Sequence, residues 1–349
     1  MTTETNSNKY TLSNINWLNT VFLLGSPVVA LLGTYYWLAT DGFSWSIMML
    51  AFAFWWITGL GITMGYHRLL SHRSYKAHPV IKAILLIAGG SAVQNSALKW
   101  CNDHRVHHGK VDTPEDPYNI NEGFFFAHMG WILLKSDISD YKYSRDLLND
   151  KMVMLQDKYY MPMIIFFSFL LPGILGHFIA DSFLGGFFFA GFARIVIVHH
   201  GTFFINSLCH VLGSRPYDRD QTARDSWITA LFTFGEGYHN YHHTFQSDYR
   251  NGIKWYHFDP GKWLIKALSY TGLAFDLRKV KQEDIIAKMI LANVNKASKR
   301  NINVSEMADF VKLKSKEVLT KIKERKNTDN SELLMQLRIL LKQSRNLKA

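Results

Sequence analysis

From Tyr10 to Thr40 the chain carries no charged residue, and from Gly42 to Tyr66 it again carries none. Each run is longer than the roughly 20 residues that a helix needs to cross the hydrocarbon core of a bilayer. Inside lipid a segment must satisfy its own backbone amides, so these runs predict membrane helices joined by a turn at Asp41-Gly42. A second pair follows. Tyr159 to Ala180 lacks Asp, Glu, Lys and Arg, and Ser182 to Ser214 contains only Arg194, with Asp181 at the turn between them. We expect spans at about 17–39, 44–66, 159–180 and 183–205. The apolar stretch Ala83 to Leu98 is short and contains Gly89-Gly90, Ser91, Gln94 and Asn95, which places it in the interface or half buried.

Four spans put both termini and the long central connection on one side. The two short turns on the other side have no Lys or Arg, so the positive-inside rule assigns the long segments to the cytosol. The fold class expected is all-α integral membrane, with residues 67–158 and 206–275 as a helical cytosolic cap. The first run lacks a basic start and a clear cleavage site, and reads as an anchored helix. The net charge of +11 does not imply nucleic acid, because residues 276–349 hold 18 Lys and Arg against 9 Asp and Glu and so carry most of it. This stretch, with Met307, Phe310, Val311, Val318, Leu319 and Ile322 at helical spacing, reads as a basic helical tail, solvated or lying on a surface. It follows a main domain over 10–275. Only Cys101 and Cys209 are present, without CxxC spacing, which fits a reducing compartment and implies neither a disulfide framework nor a thiolate metal site.

Eight of fifteen histidines fall into three tight groups: His67 and His72 in HRLLSH, His104, His107 and His108 in HRVHH, and His239, His242 and His243 in HNYHH. Imidazole nitrogen suits iron, zinc or copper, and side chains three and four residues apart share a helix face. The first group ends span two and the third follows span four, so all gather at one membrane face. Intramembrane and membrane-edge ionisable groups are functional by default. Glu236 and Asp103 adjoin the groups and are candidates for carboxylates that orient imidazoles.

GITMGYHRLLSHRSY, DHRVHH, Asp116-Pro117 with GFFFAHMGW, INSLCH with RPYD, and GEGYHNYHHTF resemble the membrane acyl-CoA delta-9 desaturases of the stearoyl-CoA desaturase type, over about Trp45 to Lys279. The resemblance implies a di-iron enzyme that uses O2 and two electrons to insert a cis double bond into a saturated acyl chain. It also implies a ninth ligand, His210, and a metal-bound water held by Asn206. Abstraction from an unactivated methylene needs a redox metal, which zinc is not. The chain has no flavin or nicotinamide fingerprint and no fused cytochrome b5 motif, so the electrons must come from an external donor such as cytochrome b5 or ferredoxin with its reductase. His78, His128, His177, His199, His200 and His257 fall outside the pattern and read as structural or supporting groups.

On the substrate side the resemblance implies Gln94, Asn95, Trp100, Asp103 and Lys135 near the head group, and Trp55 and Gly59 at the closed end of an acyl tunnel, with Trp55 as floor and Gly59 as room. Asn102 and Phe203 depart from the animal enzymes, which have Arg and Trp there. That leaves acyl-CoA, acyl-ACP and acyl-lipid open as substrates. A membrane di-iron hydroxylase usually opens with HxxxH, whereas His67 and His72 are five apart. A metal transporter would set ligands along a path through the spans. A non-catalytic metal-binding receptor is compatible with the spacing.

Overall fold

The computed structural model describes residues 11–136, 140–300, 305–325 and 329–347. Tyr10, which begins the first expected segment, lies outside them. Four helices are long and apolar enough to cross a membrane: α1 (Trp17–Thr40), α2 (Trp45–Ser71), and, after α3 (Pro79–Gly90), α4 (Ala97–Lys110) and α5 (Lys151–Lys158), the spans α6 (Tyr160–Ala180) and α7 (Gly185–Val211). Helices account for most of the chain, the only β-structure among the described residues beyond isolated bridges being the antiparallel pair Lys76–Ala77 with Ala274–Phe275.

The span ends are set by local chemistry. Asn16 caps α1 by accepting from the Asn19 amide at 3.2 Å, and Ser44 caps α2. Asp181 takes left-handed φ at the turn between α6 and α7, and Asp41 Oδ2 accepts from Ser182 Oγ at 2.5 Å, tying the two turns together. Large apolar side chains such as Leu31, Phe52 and Phe178 are exposed on the outer faces, where a soluble protein would bury them and a bilayer covers them. Helix α3 is too short to span. It lies against α2 where Gly61 meets Ala88 and Gly89 so closely that an added Cβ would fall 2.3 Å from the Gly89 nitrogen.

Span two runs five residues further than expected and span four six, so His67 and His210 lie on the last turns of their spans and His72 is the C-cap of span two. The cap continues with α8 (His239–Thr244) and α9 (Pro260–Tyr270). The basic tail, expected as a solvated or surface-lying helical segment, is helical and folds on itself. Three helices, α10 (Gln282–Arg300), α11 (Ser305–Glu324) and α12 (Ser331–Asn346), pack into a bundle around Ile290, Val294, Val311, Val318 and Leu337. Met307 and Phe310 stay exposed. The amphipathic faces bury one another, and the bundle joins the cap through Ile285 and Met289 against Tyr217 and Tyr241.

Candidate metal centre

The last eleven residues of α2, Gly61–Ser71, are wound as a π-helix, and the His72 amide donates to the His67 carbonyl at 3.0 Å, an i to i+5 bond. Five residues on an α-helix diverge by about 140° around the axis. The wider winding narrows that divergence, and the His67 and His72 rings lie 4.7 Å apart between centroids. In α4 and α8 the ordinary spacing suffices: His104, His107 and His108, and His239, His242 and His243, each share a face. His210 comes from the end of α7.

These nine side chains form two sets. His67, His72, His104, His108 and His242 make one, and His107, His210, His239 and His243 the other, with all ligand nitrogens in a set within 4.8 Å of one another. In the first set Nε2 of His242 lies 3.0 Å from those of both His67 and His108, and His72 Nε2 lies 2.9 Å from His104 Nε2. In the second, His239 Nε2 is 3.0 Å from His243 and 3.2 Å from His210, and His107 is 3.4 Å from His243. Ligands about 2.1 Å from one ion stand roughly 3.0–3.4 Å apart in octahedral or tetrahedral arrangements, so the convergent Nε2 atoms fit a metal ion in each set. Burial, with the neighbouring imidazoles, pushes His72, His104, His108, His242 and His243 well below the usual histidine range and His239 down to about 3. They are held neutral, as ligation requires. Nine nitrogens and no sulfur or carboxylate in the inner sets suit a first-row transition metal rather than calcium or magnesium.

Carboxylates stand behind both sets. Glu236 Oε2 lies 3.1 Å from His67 Nδ1 and also accepts from Asn251, and its other oxygen accepts from Arg68 at 3.1 Å and from Thr63. Burial alone would raise this carboxyl, but His67 and Arg68 hold it well below the usual range. Asp116 Oδ1 lies 2.8 Å from His107 Nδ1. Thr222 Oγ1, itself bonded to Asp112, meets His210 Nδ1 at 2.7 Å, and the Tyr118 hydroxyl meets His104 Nδ1 at 3.3 Å. Asp116 stands in the quoted motif without an assigned role, and Asp112, Tyr118 and Thr222 carry no sequence signal. Asp103 does not reach a histidine. It pairs with Lys99 at 2.6 Å, because i, i+4 on α4 aims it away from the ring nitrogens.

An apolar cavity of about 310 Å³ meets both sets, with His67 and His104 from one and His107 and His239 from the other in its wall. Leu18, Phe22, Ile164 and Phe169 of α1 and α6 line it on the membrane side. Gln94, Asn95, Trp100, Asp103, Phe203 and Asn206 also line it. Lys135 does not; it is exposed and its backbone amide donates to Asn14. Asn102 is fully buried in α4 rather than on the cytosolic surface. Trp55 and Gly59 are outside the lining, and Gly59 does not offer open room: an added Cβ would lie 2.2 Å from the Phe234 ring, which packs on Trp55 at 4.6 Å and Trp56 at 5.1 Å.

The remaining histidines stand apart from both sets. His78 accepts from the Val80 amide at the start of α3, and His177 lies near Asp181. His128 contacts Ser207 Oγ at 2.9 Å and His200 at 3.0 Å. His199 reaches backbone carbonyls, and His257 stacks on Tyr238.

The fatty acid desaturase family model matches residues 43–278, most of the chain. Over 280 residues the chain is 40% identical to a probable acyl-CoA desaturase of Schizosaccharomyces pombe, covering 78% of this chain and 56% of that protein. It is 39% identical over 306 residues to acyl-CoA desaturase 1 of Saccharomyces cerevisiae, covering 85% and 59%. It is 35% identical over 276 residues to the sn-1 stearoyl-lipid 9-desaturase of Anabaena variabilis, covering 77% and 96%. The chain thus spans little more than half the length of the two fungal relatives.

Proposed function

The chain belongs to the fatty acid desaturase family, and from that premise we propose that it inserts a cis double bond at the delta-9 position of a saturated acyl thioester. The observation that carries this is the cavity that is apolar along α1 and α6 and ends on both histidine sets. A saturated chain offers no polar handle, so an apolar slot is the only way to hold it, and the position of reaction follows from which methylenes reach the ligand sets. The balanced reaction converts –CH2–CH2– with O2, two electrons and two protons into –CH=CH– and two waters.

The nine histidines are the groups to hold two iron ions. Iron supplies the redox chemistry that activates O2 and takes hydrogen from an unactivated methylene. Around it the chain's own residues have separate tasks. Glu236 and Asp116 fix the ring orientation of His67 and His107, and Thr222 does the same for His210. Asn206, in the cavity wall, is the residue that would hold a metal-bound water. Trp100 stacks on His104 at 4.9 Å between centroids and keeps bulk water from that side. Electrons come from an external carrier such as cytochrome b5 or ferredoxin. The Lys and Arg distribution supports cytosolic termini and a cytosolic metal centre.

Acyl-CoA is the carrier favoured by the names of the two fungal relatives. An acyl-lipid is the second reading, favoured by the match that covers 96% of the Anabaena relative. Expression in a desaturase-deficient host followed by gas chromatography of total fatty acids tests the reaction: a new delta-9 monounsaturated acid is expected, and a hydroxy acid or no new product overturns the proposal. Purified protein supplied with a reductant and either stearoyl-CoA or stearoyl phosphatidylcholine separates the two carriers.

A further inference from the structure

Between α3 and α4 the chain crosses the cavity wall as a loop whose residues before the Ser96 cap are Ser91 to Asn95, and the loop's conformation is not its own. Val93 has φ +56° and Asn95 has φ +76°, the left-handed region that a β-branched residue avoids. Two left-handed residues within three positions cost free energy that neighbouring structure must supply. The supply comes from α7. Arg194, 1% exposed, donates from one terminal nitrogen to the Ser91 carbonyl at 2.8 Å and from the other to the Ser168 carbonyl of α6 at 3.1 Å. It meets no carboxylate among the described residues; carbonyls carry the charge, with its Nε donating to Ala190 at 3.1 Å. His199, five residues on, points Nε2 at the Ala92 and Val93 carbonyls at 2.9 and 3.1 Å. Both partners are acceptors, so Nε2 carries the proton.

A buried guanidinium within a span is expensive and is retained where it does a task. Here its three bonds join the loop, α6 and α7, and α6 and α7 form the cavity wall facing Gln94. Gln94 in turn donates to Thr202 Oγ1 of α7 at 2.9 Å. We infer that Arg194 and His199 are positioning residues that lock the Ser91–Asn95 loop onto α7 and so fix which pair of methylenes faces the histidine sets. The inference rests on the desaturase reading and deepens it: the specificity-determining element is a backbone clamp rather than only the side chains in the wall. Misplacement of the reacting atoms by about 1 Å lowers the rate steeply, so the position in which the loop is held bears on which methylenes react.

The test is the isomer distribution of the products in the same host, read by mass spectrometry of derivatised fatty acids, with metal content measured on the purified proteins. His199→Leu removes the N–H at similar bulk; His199→Gln keeps a donor on a side chain of comparable reach. Leu is expected to raise the fraction of double bonds displaced from the main position several-fold at unchanged metal content, and Gln to restore the wild-type distribution. Arg194→Met is expected to act in the same direction. If it fails to accumulate, the His199 pair still decides. Lower yield in His199→Leu with a wild-type isomer distribution means a merely structural role and overturns the inference. If the wild type itself makes no unsaturated product, the desaturase reading falls, and this inference with it.

Discussion

Asp116 Oδ1 sits 2.8 Å from Nδ1 of His107, and both side chains are buried. The contact leaves His107 Nε2 directed toward His243, so the carboxylate fixes both the tautomer and the ring plane of a residue in the four-histidine set. Glu236 stands in the same relation to His67 in the five-histidine set. Asp116→Asn is expected to weaken metal binding in one set and Glu236→Gln in the other, each by about 10–100-fold. Metal analysis after graded chelator treatment checks this: wild type near two ions per chain, each variant near one at intermediate chelator. Equal retention in all three proteins would show that the carboxylates do not orient the ligands.

Much of this was legible in the sequence for a physical reason. Charge-free runs longer than a bilayer is thick have few alternatives to spanning it, and ligands at i, i+3 and i+4 announce a helix face. What stayed hidden depends on long-range approach. Thr222 reaches His210 and Asp112 only because the segment between α7 and α8 returns to the turn that follows α4. The π-winding after Leu60 is invisible to a periodicity argument, although it is what brings His67 and His72, five residues apart, together. An amphipathic helix does not say what covers its apolar face, which is why Val311 and Ile322 were compatible with a surface and instead meet Ile290 and Leu337.

The bundle supplies the second prediction. Leu337 is fully buried where α12 meets α10 and α11, and its replacement by Ala is expected to cost about 2–5 kcal/mol of bundle stability. Removing 301–349 would expose Ile290 and Val294 on α10, whereas removing 281–349 takes the apolar face away with it. The longer remnant is therefore expected to aggregate more in detergent by size-exclusion chromatography. A well-behaved 1–300 protein would mean that α10 finds another partner.

A pH dependence follows from Asp225, whose Oδ1 accepts from the Tyr241 amide of α8 at 2.9 Å. Burial pushes its carboxyl up to about 7, against an ordinary value near ~3.9 in an unfolded chain. Between those values the folded protein keeps a proton that the unfolded chain has released. Its contribution to stability is therefore full below about pH 4 and is lost as pH rises through about 7. Asp225→Asn keeps an acceptor for Tyr241 and cannot ionise, so its thermal midpoint in detergent is expected to fall less between pH 5.5 and 8.5 than that of wild type. Parallel curves for the two proteins would rule Asp225 out as the titrating group.

The last prediction concerns the depth of the acyl cavity. Ile62 and Thr63 line it, and Gly59, one turn earlier on α2, does not, because the Phe234 ring occupies the space beside it. Phe234 is buried, has φ +53°, and packs against Trp55 and Trp56, so three aromatic rings form a plug behind the lining. Neither Phe234 nor Trp55 is in the lining itself; Phe234 stands against Gly59 with Trp55 packed on it, and two substitutions test which ring closes the cavity. Phe234→Ala removes the ring against Gly59 and is expected to shift products toward longer acyl chains with the double bond unmoved, since the Ser91–Asn95 loop and both histidine sets keep their places. Trp55→Ala opens space only behind the Phe234 ring and is expected to leave chain length nearly unchanged while loosening the packing. Gly59→Ala drives a methyl into that ring and is expected to cost about 1–3 kcal/mol by overpacking. Product profiles from a host fed acyl chains of graded length decide between them, and a larger shift from Trp55→Ala than from Phe234→Ala would put the closed end of the cavity at Trp55.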